Sequence, residues 1–305
     1  MKINFEKWHG CSNDFVIVWF IHDDQVEQSL IQRSPELCRR DGQGIGADGV
    51  ILMHLENSLD SMPQKISIIN SDGSIAATCG NGIRCAASSI RQRIEESSDM
   101  DVPEALEITL RNEAKVLCRF LKQNGMVSVD MGIMSPILKE PWTTFTAQKL
   151  SSYENLLGRD PSFGIYEILN QHIVITPQDH NQEAIRVVGP ELQESPHWDG
   201  INVHIAFEKS LESQDNDRAY REIGAPIEEL WQAHVWERGA GPTKACGSGA
   251  CAIATHIFQG GMVEKNSWVG IDMEGGRLYV QHRDPKDPTL LSGPSQIVFR
   301  GHLNF

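Results

Sequence analysis

The chain reads as an α+β protein built from two related halves, and three observations lead there. The stretch "TCGNGIRC", Thr78 to Cys85, sets a cysteine before a Gly-Asn-Gly turn, and apolar residues at helical spacing follow it. The stretch "ACGSGAC", Ala245 to Cys251, repeats that arrangement 167 residues later in a chain of 305. Each site is preceded by short β-like runs and a glycine-rich loop, so strand, loop, cysteine and helix recur as a unit. One recurrence excludes a solenoid; two similar domains with a cleft between them are expected. The expected boundaries are 1–132 for the half carrying Cys79 and 133–292 for the half carrying Cys246, with a last strand near 293–305 returning to the first half.

In the first half, "INF", "FVIVWF" and "GVILMHL" read as strands, and "KISIIN" as a strand entering the turn "SDGS". Ile83, Ala86, Ala87, Ile90 and Ile94 lie at helical spacing, which predicts an amphipathic helix over about 80–95. The acidic "EESSDMDVPE" reads as a solvated loop. "LEITLRNEAKVLCRFLKQNGMVSVDMG" reads as two or three antiparallel strands, with "QNG" as a hairpin turn. In the second half, "GIYEILNQHIVIT" and "INVHIAFE" are strand-like and "GPELQES" reads as a loop. "RAYREIGAPIEELWQAHVWERG" fits no single pattern, but analogy with the first half puts a strand end at Glu237. Ala250, Ile253, Ala254, Ile257 and Phe258 then form the stripe of a helix that Gly260-Gly261 ends. "RLYVQHR" and "QIVFRGHL" are the final strands.

A net charge of −14 argues against nucleic acid or an anionic membrane as partner, and no apolar run approaches the roughly 20 residues that span a bilayer. The first residues lack a signal-peptide pattern, so a cytoplasmic location is expected. Seven cysteines, an odd number, fit free thiols better than a disulfide framework. Neither Cys79/Cys85 nor Cys246/Cys251 has the two-to-four-residue spacing of zinc ligands, so no metal is expected. Cys11, Cys38, Cys85, Cys118 and Cys251 read as core residues, the common fate of an isolated cysteine.

Cys79 and Cys246 call for a different reading. A helix N-terminus offers unpaired N–H groups and about half a positive charge, which should depress a thiol pKa from about 8.5. The flanking glycines leave those amides open to a carboxylate. Two such sites suit inversion at an amino-acid α-carbon, where one thiolate takes the proton and a thiol on the other face returns one. No metal or pyridoxal cofactor is needed for that chemistry.

"KWHGCSNDFVIV", "GIGADGVIL", "NSDGSIAATCGNGIRCAA", "VDMG", "ERGAGPTKACGSGACA" and "GPSQIVFRGHL" resemble, in order, the signature blocks of the diaminopimelate epimerases, and span residues 2 to 303. The resemblance implies a fold of two pseudo-symmetric domains, each a mixed, barrel-like sheet around a central helix, with the active site in the cleft between them and a homodimeric assembly. It implies cofactor-independent interconversion of LL- and meso-diaminopimelate in lysine and peptidoglycan synthesis. Position by position, it makes Cys79 and Cys246 the catalytic pair, with His172 and Glu237 as polar residues beside the thiols. Gly80, Asn81, Gly247 and Ser248 match the donors to the reacting carboxylate, and Asn13, Asn70, Asn170 and Asn202 the substrate-binding asparagines. Arg238 matches the arginine that pairs with the distal carboxylate, and Glu237 also faces the substrate ammonium. The chain departs from the family pattern at Cys11, Ser12 and Gln171.

Alternatives stay open at this point. A two-cysteine racemase of another amino acid would keep the mechanism and change the substrate. A cysteine hydrolase with His172 as base would need one thiol only. From the residues alone, Glu237-Arg238 is also a surface ion pair and Asn70 a turn former.

Overall fold

The computed structural model describes all residues except 1, 59–61, 64, 98–100, 122–125, 169, 179, 195–197, 199, 284–285 and 305, and the side chain of Asn304. It contains two compact units, residues 1–129 with 293–305, and residues 130–292. The "QNG" turn lies outside the described residues.

In the first unit, β1 (Lys2–Gly10), β2 (Asn13–Ile21), α1 (Asp24–Cys38), β3 (Gly49–Leu55), β4 (Lys65–Asn70) and β5 (Ile75–Ala76) lead to α2 (Gly80–Glu96). Then come β6 (Ala105–Thr109), β7 (Lys115–Phe120) and β8 (Val127–Asp130). The second unit holds β9 (Ser135–Pro136), α3 (Trp142–Ser151), α4 (Glu154–Leu157), β10 (Ser162–Ile168), β11 (Asn170–Thr176), α5 (Ala184–Gln193) and β12 (Asn202–Lys209). It continues with α6 (Ser213–Ile223), β13 (Glu229–Glu237), β14 (Gly241–Thr243), α7 (Gly247–Gln259), β15 (Trp268–Met273), β16 (Gly276–Gln281) and β17 (Leu290–Gly293). The last strand, β18 (Gln296–Asn304), pairs with β1 and so belongs to the first unit.

The strand run "FVIVWF" lacks polar alternation because helices cover both of its faces. Val16, Val18 and Phe20 pack with Leu30 and Leu37 of α1. The alternate residues face α2: a Cβ on Gly82 would touch Phe15, Ile51 and Ile68, and Trp19 Nε1 donates to Ser89 Oγ at 3.1 Å. The second unit repeats this plan. Ile173, Ile175, Val203, Ile205 and Phe207 pack with Ile185, Val188 and Leu192 of α5. The opposite face of β11 and β12 lies under α7.

The duplication extends through the topology. β1–β2 is antiparallel, β2–β3 parallel and β3–β4 antiparallel, with β5 joining β4 before α2. β10–β11 is antiparallel, β11–β12 parallel and β12–β13 antiparallel, with β14 joining β13 before α7. β18 on β1 corresponds to β9 on β10. Helix α6 is an addition to the second unit, stitched to the sheet where Arg277 Nη2 donates to Asp215 at 2.9 Å and to Asp272 at 3.0 Å.

Two expectations need correction. The two-unit α+β fold of mixed sheets is as expected, but no closed barrel forms: the sheet of the first unit is an open path, β18-β1-β2-β3-β4-β5, with edges at β18 and β5. "GPELQES" is not simply a loop, because Gly189 to Gln193 form the end of α5. Gly-Pro usually marks a turn, but here Gly189 is the point where α5 meets the sheet. A Cβ at Gly189 would stand 2.6 Å from the Trp236 ring, and Trp236 Nε1 donates to Gln193 Oε1 at 2.7 Å. This contact seats the strand end that carries Glu237 and Arg238. Gly189→Ala raises intrinsic helix propensity by about 1 kcal/mol, yet it should destabilise the protein by about 1–3 kcal/mol through overpacking, read as a lower urea midpoint.

Candidate active site

In the first unit, Cys79 is the N-cap of α2. Its backbone is extended, with φ −155° and ψ 107°, and Sγ accepts the Gly82 N–H at 3.4 Å. Gly82 rests on Phe15, and Phe15, Gly49 and Asn70 lie side by side on β2, β3 and β4. The helix start therefore sits over the sheet end that carries Asn13 and Asn70. Asn13 Nδ2 donates to Asp48 at 3.0 Å, and Asn70 Nδ2 donates to Ser74 Oγ at 2.9 Å within its turn. The Asn81 side chain is committed to the helix interior, where its Oδ1 accepts from Arg84 Nη2 at 2.9 Å. The loop Gln43–Asp48 wraps the end of α1, with Ile45 and Ala47 N–H donating to Leu37 and Cys38 carbonyls at 2.9 and 3.1 Å.

In the second unit, Cys246 caps α7 in the same way, with φ −132°, ψ 111° and Sγ accepting the Gly249 N–H at 3.4 Å. Ser248 Oγ lies 3.6 Å from the sulfur, and the Cys246 N–H donates to Met273 Sδ at 3.4 Å. His172 stands opposite Asn202 in the β11–β12 register, and Asn202 precedes the Val203–Trp236 pair, which sets it opposite Glu237. Asn202 Oδ1 accepts the Arg238 N–H at 3.0 Å, and Asn170 Oδ1 accepts from Arg238 Nη2 at 3.4 Å. Thr243 Oγ1 donates to Glu237 Oε1. His172, Asn170, Asn202, Glu237, Arg238, Gly247 and Ser248 thus gather with Cys246 at one end of this sheet.

The shared register makes the two sites comparable residue by residue. Asn13 corresponds to Asn170, Phe15 to His172, Gly49 to Asn202 and Asn70 to Glu237. Asn70 and Glu237 each stand nine residues before their cysteine. The duplication is therefore electrically unequal: an aromatic ring and an amide in one unit replace an imidazole and a carboxylate in the other. Burial and the Glu237 carboxylate push the Cys246 thiol well up, outweighing Ser248 and the Gly249 N–H. This corrects the expectation of a depressed pKa at the second helix start: Cys246 rests as a thiol. Its location at a helix N-terminus cannot offset the loss of water around the sulfur.

Sequence reasoning missed His204. It lies two residues after Asn202 on the same strand face, with Nε2 2.9 Å from His172 Nδ1 and the rings stacked. His172, His204 and Cys246 offer ligand-type atoms within 4.8 Å of one another. A Cβ on Gly249 would come 2.2 Å from His204 Cε1, so glycine there lets the imidazole pack against the helix start. The alternation of "INVHIAFE" was the available signal. Arg84 was missed too; it is fully buried, and its Nε and Nη1 find no acceptor among the described residues. Cys11, Cys38, Cys85, Cys118 and Cys251 are all buried.

Burial holds His172 down to about 3 and His204 well below its ordinary value, and burial chiefly holds His54 down to about 4. The unfolded chain takes up protons near 6.5, so it binds more of them than the folded chain below that pH. Stability should be level near pH 7.5 and fall as pH drops from about 6.5 toward 4, read as urea midpoints; above about pH 8.5 the buried thiols, held protonated by burial, make it fall again. Asp14 and Asp272, held low by Arg40 and Lys7 and by Arg277 and Lys209 despite burial, add their losses only below about pH 4. His172→Asn should flatten the upper part of that slope.

A family profile described as diaminopimelate epimerase matches residues 5–132 and 167–298. A diaminopimelate epimerase of Pseudomonas syringae pv. tomato is 30% identical over 307 residues, covering 99% of each chain, and one from Pseudomonas aeruginosa is 28% identical with 99% of each covered. Among solved structures, a phenazine biosynthesis protein of the PhzF family from Bacillus anthracis aligns over 100% of both chains with TM-score 0.67 and 10% identity. A hydroxyproline epimerase from Agrobacterium vitis, with bound trans-4-hydroxy-L-proline, aligns over 99% of this chain and 92% of its own with TM-score 0.58 and 11% identity. At those identities the structural matches speak to fold alone. The profile spans both cysteine turns and most of both units, and the chain belongs to the diaminopimelate epimerase family of isomerases.

Proposed function

We propose that the chain interconverts LL- and meso-diaminopimelate without a cofactor, by a two-base mechanism using Cys79 and Cys246. The observation that carries this reading is the pair of matched thiols, each capping a helix through its sulfur with glycines at the helix start. One thiolate removes the α-proton, and the electron pair moves into the carboxylate as an enediolate. The opposite thiol then donates its proton to the other face of the carbon. Backbone N–H groups of Gly80, Asn81, Gly247 and Ser248 hold the carboxylate as negative charge develops, where one good donor is worth about 10²–10³ in rate. Cys246, resting protonated, is poised as the acid for one direction. Proton transfer from it leaves the charge next to Glu237 and the His172–His204 pair, and the substrate ammonium compensates Glu237.

Arg238, held by Asn202 and Asn170, is the proposed partner of the distal carboxylate. Its aliphatic stem lies against Gly200, where a Cβ would come 2.5 Å from Cδ. That fixed guanidinium favours diaminopimelate over an amino acid with no second carboxylate. Such a product serves lysine and peptidoglycan synthesis, and a cytoplasmic homodimer is the expected form. Among the described residues no helix is long and apolar enough to cross a membrane.

Proton NMR of LL-diaminopimelate with the reduced protein in D₂O, without pyridoxal phosphate, should give meso product with solvent deuterium at one α-carbon. Persistence of the α-proton would overturn the reading. Cys79→Ala and Cys246→Ala should each lower the epimerisation rate by about 10²–10⁴-fold; a hydrolase would tolerate one of them. Arg238→Lys should raise KM for diaminopimelate by about tenfold with a smaller effect on kcat, whereas a racemase of a monocarboxylic amino acid would be indifferent.

A further inference from the structure

In the first unit, three side chains assigned no part in the reaction converge beside a cavity of about 430 Å³: His22, Glu27 and His54. His22 follows β2, Glu27 lies in the first turn of α1 and His54 is near the end of β3. The two imidazoles present the same atom to each other, with Nδ1 to Nδ1 at 3.4 Å. Glu27 Oε2 is 3.9 Å from both of those nitrogens, while Glu27 Oε1 is taken by Arg111.

The outward nitrogens have polar neighbours. His54 Nε2 is at hydrogen-bond distance, 2.8 Å, from Ser67 Oγ, and His22 Nε2 lies 3.4 Å from the Asp24 carboxylate. Without an ion, one Nδ1 carries the proton shared across the 3.4 Å contact; an ion binding between the two rings displaces that proton to Nε2 of the same ring, leaving two Nδ1 lone pairs and the Glu27 carboxylate oxygen beside one volume. Neutral imidazole is the ligating form. A polar partner on the outer nitrogen is what orients metal-ligating histidines.

We propose that His22 Nδ1, His54 Nδ1 and Glu27 Oε2 bind one divalent transition metal ion, zinc or cobalt(II). Two nitrogens on one tetrahedral zinc at about 2.0–2.1 Å lie about 3.3 Å apart, close to the separation found. The carboxylate oxygen closes by a few tenths of an ångström. The fourth position faces the cavity, which Lys65 and Arg111 also line, and takes water or a small anion. The ion ties the start of α1 to β3.

The test uses the full chain, reduced and stripped with EDTA, then titrated with Co²⁺ or Zn²⁺ and desalted. Elemental analysis should find one ion per chain, and Zn²⁺ should raise the thermal midpoint. Bound Co²⁺ should give visible d–d bands without the near-ultraviolet band of a cobalt–thiolate bond. His22→Ala should weaken binding by about 100-fold or more and abolish the thermal shift. Because the His22 side chain is half exposed, that variant should fold, checked by its metal-free midpoint; Glu27→Gln is the second variant. Cys246→Ala should bind as the wild type does. Failure to retain any ion would overturn the proposal, as would unchanged binding in His22→Ala. A thiolate band lost in Cys246→Ala would place the ion at His172, His204 and Cys246 instead and would equally overturn it. None of these readouts depends on epimerase activity.

Discussion

The bond from a backbone N–H to a cysteine sulfur, made once at each of two helix starts, is what the rest of the structure is arranged to present. It fixes each thiol at the point where the helix carries its unpaired donors. It also accounts for one of the glycines. Gly249 must approach His204 so closely that no Cβ fits, whereas a Cβ at Gly82 would make ordinary contact with Phe15. Each sheet in turn is covered on its other face, by α1 in one unit and α5 in the other. A strand end clamped from both sides holds its polar residues still, and the asparagines and Arg238 all sit on such ends.

The two units share a backbone plan but not an electrostatic environment. Where one places Phe15 and Asn70, the other places His172 and Glu237, and His204 joins them. Burial beside a carboxylate favours the protonated thiol at Cys246. The proposed two-base chemistry would need one partner to arrive protonated and the other not, and unequal surroundings on an equal frame would serve it. The imbalance is carried by side chains on the sheet and leaves the helix caps themselves alike.

Strands were legible because short apolar runs bounded by turn residues admit few readings, and both cysteine helices because their caps and stripes are local. α1 and α5 were not recognised: Pro35 and Pro190 lie inside them, and "GP" carries the signature of a turn. What the pattern omits is the neighbour, Trp236, against which Gly189 fits. α6 is mostly solvated, so its apolar stripe is thin. Of the candidate site, the thiols and Arg238 could be named from motifs, whereas His204 is defined by what crosses above it. The thiol pKa was misjudged for the same reason, since desolvation is set by residues distant in sequence. His22, Glu27 and His54 share no motif; the parallel pairing of β2 with β3 brings His22 to His54, and α1 supplies Glu27.

The return of β18 to β1 orders events during synthesis. Residues 130–292 form a continuous stretch and hold every strand and helix of their own unit as soon as they leave the ribosome. The first unit, although begun earlier, lacks the neighbour of its opening strand until residues 293–305 emerge. Its β1 edge therefore stays unpaired through the translation of the whole second unit. The half that starts first finishes last, and nascent chains spend most of their elongation time with one exposed strand edge to protect.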